Sequence, residues 1–275
     1  KRYHLFGFTG TPIFAENAGS GGNPLRRTTA QAFGDKLHTY TIVDAINDKN
    51  VLPFRIDYIN TIKTSEHIKD KQVSAIDTER ALLAPERIAQ VVGYILEHFD
   101  QKTKRAASYK MHGKRLAGFN SLFATASIEA AKRYYAEFRA QQQDLPEAQR
   151  LKVGLVYSFA ANEDDPDGLL SEEEFETGGL DASSRDFLDA AIRDYNALFS
   201  TSFDTSADKF QNYYKDLSQR LKTRELDLVI VVNMFLTGFD ATTLNTLWAD
   251  KNLRAHGLIQ AYSRTNRILN SVKTY

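Results

Sequence analysis

The sequence predicts an α/β fold built on a doubly wound, mainly parallel sheet. Residues 226–232 form a run so apolar that it reads as a central strand covered on both faces. Strand-like segments alternate with amphipathic helical ones along the chain, the pattern of a parallel sheet flanked by helices. Hydrophobic residues make up 42% and charged residues 25% of the 275, enough apolar surface for a core.

The elements follow in order. Residues 3–8 read as a short buried strand that runs into Thr9-Gly10-Thr11-Pro12, where Pro12 bars a helix. Residues 15–24, rich in Gly, Asn and Ser, read as a linker. A short helix is expected over 40–46. A strand is expected over 51–62, where Val51, Phe54, Ile56, Tyr58 and Ile62 are the apolar members. Residues 63–78 are polar and read as a surface excursion. Pro85 opens a helix with Ile88, Val91, Val92, Ile95, Leu96 and Phe99 at helical spacing. Lys102, Lys104, Arg105, Lys110, Lys114 and Arg115 follow in a basic stretch, either a solvated loop or a track for a phosphate backbone. Residues 119–125 read as a strand, and Ser127 caps the next helix, with Glu129 at its positive end. A buried strand is expected over 153–159. An exposed acidic insertion is expected at about 160–186, without the spacing of a calcium loop. Helices at 187–199 and 207–221, strands at 226–232 and 244–249, and a last helix over 254–268 complete the reading. Trp248 falls within a strand and belongs in the core.

Composition narrows the function classes. Lysine plus arginine equals aspartate plus glutamate at 35 each, which argues against a domain that coats nucleic acid indiscriminately but permits a local basic track. There is no cysteine, so disulfides and thiolate metal sites are excluded. No stretch is apolar enough to span a bilayer, and the start carries no leader pattern. A cytoplasmic location is expected. Both ends read as cut from a longer polypeptide.

The segment with most chemistry is Gln260-Ala261-Tyr262-Ser263-Arg264-Thr265-Asn266-Arg267. On a helix, Gln260, Arg264 and Arg267 would share one stripe about 60° wide, with Leu258 and Tyr262 opposite. Two guanidiniums and an amide aimed together suit a polyanion, since the arginine fork pairs with phosphate oxygens; a solvated basic face has the same pattern. Three further segments stand in order before it. They are Thr9-Gly10-Thr11-Pro12, residues 120–127 with Thr125 and Ser127, and Thr237-Gly238-Phe239-Asp240. Alone, the last is a plain strand-to-helix turn; Gly238 lets a backbone approach a ligand.

Together these segments resemble motifs III, IV, V and VI of superfamily 2 helicases and translocases. Residues 234–241 (MFLTGFDA) and 247–268 (LWADKNLRAHGLIQAYSRTNRI) resemble more closely the motor (R) subunit of type I restriction enzymes. The resemblance implies a RecA-like motor lobe. Residues 1–24 would be the edge of lobe 1 and a linker, and 25–275 would be lobe 2. It implies that Arg267, with Arg264 second, supplies an arginine finger. Gln260, Asp240, Gly238, Thr9, Gly10 and Thr11 would serve the ATP site or its coupling. Thr237, Thr125, Ser127, Lys110 and Lys114 would face DNA. Ser263 stands where many members have glycine.

ATP and Mg²⁺ are implied cofactors, with their main ligands outside this chain, because the sequence contains no Gly-x-x-x-x-Gly-Lys-Ser/Thr loop. No metal ligands are assigned here. The implied partners are double-stranded DNA, the first motor lobe, and the methyltransferase and specificity subunits, with no membrane. The implied activity is ATP-driven translocation coupled to cleavage by a nuclease domain that lies elsewhere, and the isolated chain is expected to be inactive. The alternatives are lobe 2 of a repair helicase and a non-enzymatic α/β interaction domain.

Overall fold

The computed structural model describes residues 6–10, 12–18, 27–61, 80–157, 180–232, 234–236, 238–253 and 255–274. Its centre is a four-stranded parallel sheet of β3 (Asn120–Thr125), β4 (Val153–Val156), β5 (Leu228–Val231) and β6 (Leu244–Asp250), in the order β4-β5-β3-β6. An antiparallel hairpin, β1 (Ser108–Met111) with β2 (Lys114–Ala117), precedes it. The small helices α1 (Thr29–Phe33) and α2 (Ile42–Asn47) come first. They are followed by α3 (Pro85–Lys102), α4 (Ile128–Gln142), α5 (Ala182–Phe199), α6 (Ala207–Lys222) and α7 (Ala255–Tyr262).

The order explains the layers. The connection from β3 to β4 passes over β5 in one direction, and that from β4 to β5 returns in the other. Right-handed crossovers therefore put α4 and α6 on opposite faces of the sheet. Both faces of β5 are covered, and all four of its residues are fully buried. From α3, Ile88, Val92, Ile95 and Phe99 recur at helical spacing and enter the core. From α6, Tyr213 sends its hydroxyl to the Leu155 carbonyl at 2.7 Å, and Leu217 packs so closely that a Cβ at Gly154 would meet its Cδ1 at 3.0 Å.

The caps are those that the sequence offers. Ser127 accepts from the Ala130 N–H at 3.2 Å, and Asp181 accepts from the Ser184 N–H at 2.9 Å. The second cap starts α5 at Ala182, five residues ahead of the expected 187, so the end of the proposed acidic insertion is helical. The rest of that insertion, apart from residues 180–186, lies outside the described residues. So do the expected strand's residues 158–159, Ile62 with the whole polar excursion, and most of the linker, whose described part includes a 3-10 turn at Ala15–Asn17.

Three further segments differ in kind from expectation. Residues 6–8 form no strand, and Phe6 and Phe8 are exposed. Residues 51–61 are also strandless: alternation supplies no ladder without a neighbour to pair with. This segment is a strap instead. The Leu52 N–H donates to the Asn266 carbonyl at 2.7 Å, Phe54 lies 6.0 Å from the Tyr262 ring, and Tyr58 points into solvent. The expected basic loop contains the β1–β2 hairpin, closed by the left-handed pair His112 and Gly113. The sheet strands, α2, α3, α4 and α6 stand close to their expected places. Trp248 is buried in β6, edge-on to Tyr94.

Candidate functional site

Working groups of parallel sheets gather at the carboxyl ends of the strands. At the end of β3, Thr125 is fully buried and its hydroxyl donates to the Val231 carbonyl at 3.2 Å. A hydroxyl used this way ties two neighbouring strands. The Ser127 hydroxyl caps α4. At the end of β6, Asp250 receives both ends of the Arg87 guanidinium, one of them at 2.9 Å, and the Tyr134 hydroxyl. Arg87 also reaches the Thr61 hydroxyl at 3.0 Å and the Leu82 carbonyl at 3.0 Å. Burial is the main reason that the Tyr134 phenol is pushed far above its ordinary range, and the hydrogen bond to Asp250 adds to it. The sequence reading missed this network. Its one local signal was an aspartate closing an apolar strand.

Between β5 and β6 the chain crosses the α6 face. Met234, Phe235 and Leu236 are buried, and Phe235 stacks on Tyr214 with centroids 4.7 Å apart. Phe235 and Gly238 both take left-handed φ, 61° and 65°. Gly238 is exposed, with open space where a Cβ would be, so its backbone is accessible. Asp240 follows with its side chain 62% exposed. Thr237 lies outside the described residues, as does Thr11; Thr9 and Gly10 are exposed near the start.

The arginine segment departs from the expected helix. α7 ends at Tyr262, so Gln260 lies on its last turn while Arg264 and Arg267 lie beyond it. The cause is local. The Thr265 hydroxyl donates back to the Tyr262 carbonyl at 2.9 Å, and the Arg264 Nε donates to the Gln260 carbonyl at 3.0 Å, taking carbonyls that a continuing helix would use. The shared stripe is therefore lost. The two arginines meet instead on the crossover segment. Arg264 Nη1 donates to the Phe239 carbonyl, and Arg267 Nε lies 3.2 Å from Asp240 Oδ1, an ion pair without hydrogen-bond alignment. Gln260 is half-buried.

Lys273 joins this pair. It is 1% exposed and donates from Nζ to the Thr242 carbonyl at 2.9 Å. Burial pushes its ammonium down to about 7; Asp240 opposes that shift and Arg267 adds to it. Asn266 is equally buried, with no hydrogen-bond partner for its amide. The site is thus a carboxylate with two basic groups near it, one exposed and one buried, beside a left-handed glycine turn. Such a set can exchange its carboxylate for another anion. Lys110 and Lys114 are exposed on the hairpin, which joins the sheet at the amino end of β3, away from Thr125 and Ser127.

Comparison with known proteins gives the family. Residues 117–275 match the model of type I restriction enzyme subunit R domain 3, and residues 1–87 match that of the SWI2/SNF2 ATPase. The sheet and its helices have the arrangement of a RecA-like helicase lobe. A type I restriction enzyme endonuclease subunit of Staphylococcus aureus (strain MRSA252) is 42% identical over 279 residues, covering 100% of this chain. One of Staphylococcus saprophyticus is 42% identical over 274 residues, covering 98%. The HindI endonuclease subunit of Haemophilus influenzae is 22% identical over 281 residues, covering 96% of this chain and 21% of its own length. The chain spans 27% of the length of the two staphylococcal relatives. Among the described residues no helix is long and apolar enough to cross a membrane. The chain belongs to the R-subunit family of type I restriction enzymes.

Proposed function

We propose that this chain is the second lobe of an ATP-driven DNA translocase within a cytoplasmic type I restriction endonuclease, and that it completes the ATP site with Arg267. The observation that carries the reading is the contrast between the two arginines. Arg264 is turned onto the carbonyls of Phe239 and Gln260, whereas Arg267 is 40% exposed and paired only loosely with Asp240. An exposed guanidinium fits the phosphates of ATP, and an arginine placed late in phosphoryl transfer stabilises the charge of the moving group. Arg264 is then a positioning residue that fixes the turn beyond α7. Asp240 and Gly238 border the nucleotide, and Gln260 supports them.

In the same reading residues 1–24 belong to the edge of lobe 1 and residues 25–275 to lobe 2. Thr9, Gly10 and Thr11 couple hydrolysis to movement, and Thr237 and Ser127 border the DNA path. The first lobe supplies the phosphate-cradling lysine and the Mg²⁺ ligands. When bound, the metal neutralises phosphate charge during transfer. The methyltransferase and specificity subunits complete the assembly. The isolated chain neither hydrolyses ATP nor cuts DNA.

The test is Arg267→Ala in the complete R subunit. ATP hydrolysis with DNA should fall on the order of 10³-fold, with duplex binding retained. Hydrolysis within a few-fold of wild type would overturn the assignment.

A further inference from the structure

From Gln101 to Ser127 the chain carries six lysines and arginines and no aspartate or glutamate, in a protein whose charges balance overall. Three of the six are used inside the molecule. Lys102 pairs with Asp57, Lys104 holds the Val272 carbonyl and the Thr274 hydroxyl, and Arg105 pairs with buried Asp227. The other three, Lys110, Lys114 and Arg115, are exposed on the β1–β2 ribbon. Among the described residues none of these three pairs with a carboxylate. Arg115 has its guanidinium on the Ser108 hydroxyl, at 2.9 and 3.2 Å.

The ribbon is firmly held at its base. Tyr109 stacks on Phe119 at 5.0 Å and donates its hydroxyl to the Gly118 carbonyl at 3.1 Å. The Gly118 and Phe119 N–H groups bond the carbonyls of Ala107 and Thr103. Gly118 has φ 61°, and a Cβ there would meet Arg105 Cα at 2.7 Å, so the backbone closes tightly. On this base Lys110 stands directly opposite Arg115 in register. Like charges in cross-strand positions repel, and a strand pair gains nothing from them by itself. They become favourable when an anionic surface lies across both strands.

We propose that the β1–β2 ribbon is a contact for the phosphate backbone of duplex DNA, made at the amino end of β3 and separate from the strand ends and the arginine segment. A two-stranded ribbon is narrow enough to lie along a DNA groove, and three cations on it neutralise up to three phosphates without reading sequence. The proposal rests on the reading that the complete subunit acts on DNA, but not on the role of Arg267.

The experiment is Lys110→Gln/Lys114→Gln/Arg115→Gln in the complete R subunit, titrated with a fluorescent non-specific duplex over a series of salt concentrations. The slope of log affinity against log salt should become shallower by roughly 2–3, with about a tenfold or greater loss of affinity at low salt. Lys110→Arg/Arg115→Lys, which keeps the charge, should bind like wild type. An unchanged slope overturns the proposal, whether or not affinity falls, because damage to folding does not alter the number of ions released. Loss of assembly with the other subunits at an unchanged slope overturns it in favour of a protein contact. A failed Arg267 assignment would show as normal ATP hydrolysis in Arg267→Ala and leave this slope untouched.

Discussion

Asp250→Asn should be the most destabilising conservative change at the carboxyl end of the sheet. In the native chain the Asp250 carboxylate faces an Arg87 side chain that is 8% exposed, and is itself 18% exposed. The substitution keeps the shape but removes the charge that justifies burying a guanidinium. Breaking such a pair from one side costs about 3–5 kcal/mol, because the remaining charge stays buried without compensation. Arg87 keeps its bonds to the Thr61 hydroxyl and the Leu82 carbonyl, which favours the lower half of that range. For a chain of this size the loss corresponds to roughly 10 °C in the unfolding midpoint. Urea unfolding followed by far-UV circular dichroism measures it. Arg87→Met/Asp250→Leu, which removes both charges, should cost clearly less than the sum of the two single changes. If Asp250→Asn lies within about 1 kcal/mol of wild type, or if the double change is simply additive, the buried pair does not hold this end together.

Two other outcomes follow from the crossover segment. The Lys273 ammonium sits at about 7 in the fold against an ordinary 10.5, so the unfolded chain binds the extra proton between those values. Its contribution to stability is present above the ordinary value and is lost as pH falls toward 7. The difference is at most about 5 kcal/mol. Lys273→Met should therefore flatten the stability profile between about pH 7 and pH 10, as denaturant midpoints at several pH values would show; an unchanged slope there would refute the buried-ammonium reading. Gly238→Ala meets no atom within 4 Å but must hold φ 65°, so it should cost about 1 kcal/mol through the backbone alone. A cost above about 3 kcal/mol in thermal unfolding would mean that the turn is packed against something.

Much of the sheet was legible because burial on both faces leaves a direct mark. Residues 228–231 read Leu-Val-Ile-Val, and no other local structure uses such a run so economically. Ser127 and Pro85 marked helix starts for reasons internal to their own turns. The alternation of residues 51–62 misled because it describes one segment, whereas a strand needs two. The end of α7 was hidden because neither glycine nor proline announces it. It is produced by side chains, Arg264 and Thr265, folding back on the carbonyls of the last turn. The Arg87–Asp250 pair joins residues 163 apart in sequence, a distance over which no spacing rule speaks. At the candidate site the residue types were legible, but their common helical stripe was not.

The loose pairing of Arg267 with Asp240 bears on which anions can be held there. An exposed ion pair of this kind contributes only about 0–1 kcal/mol, so the carboxylate is a weak occupant. A singly charged solute gains little by replacing it, since it offers the guanidinium one charge for another. A solute carrying several charges on adjacent oxygens offers two acceptors at once and matches the planar fork. If Arg267 serves the ATP site as proposed, Asp240 would work as a threshold on valence, keeping the guanidinium neutralised among ordinary ions and yielding it to a polyanion.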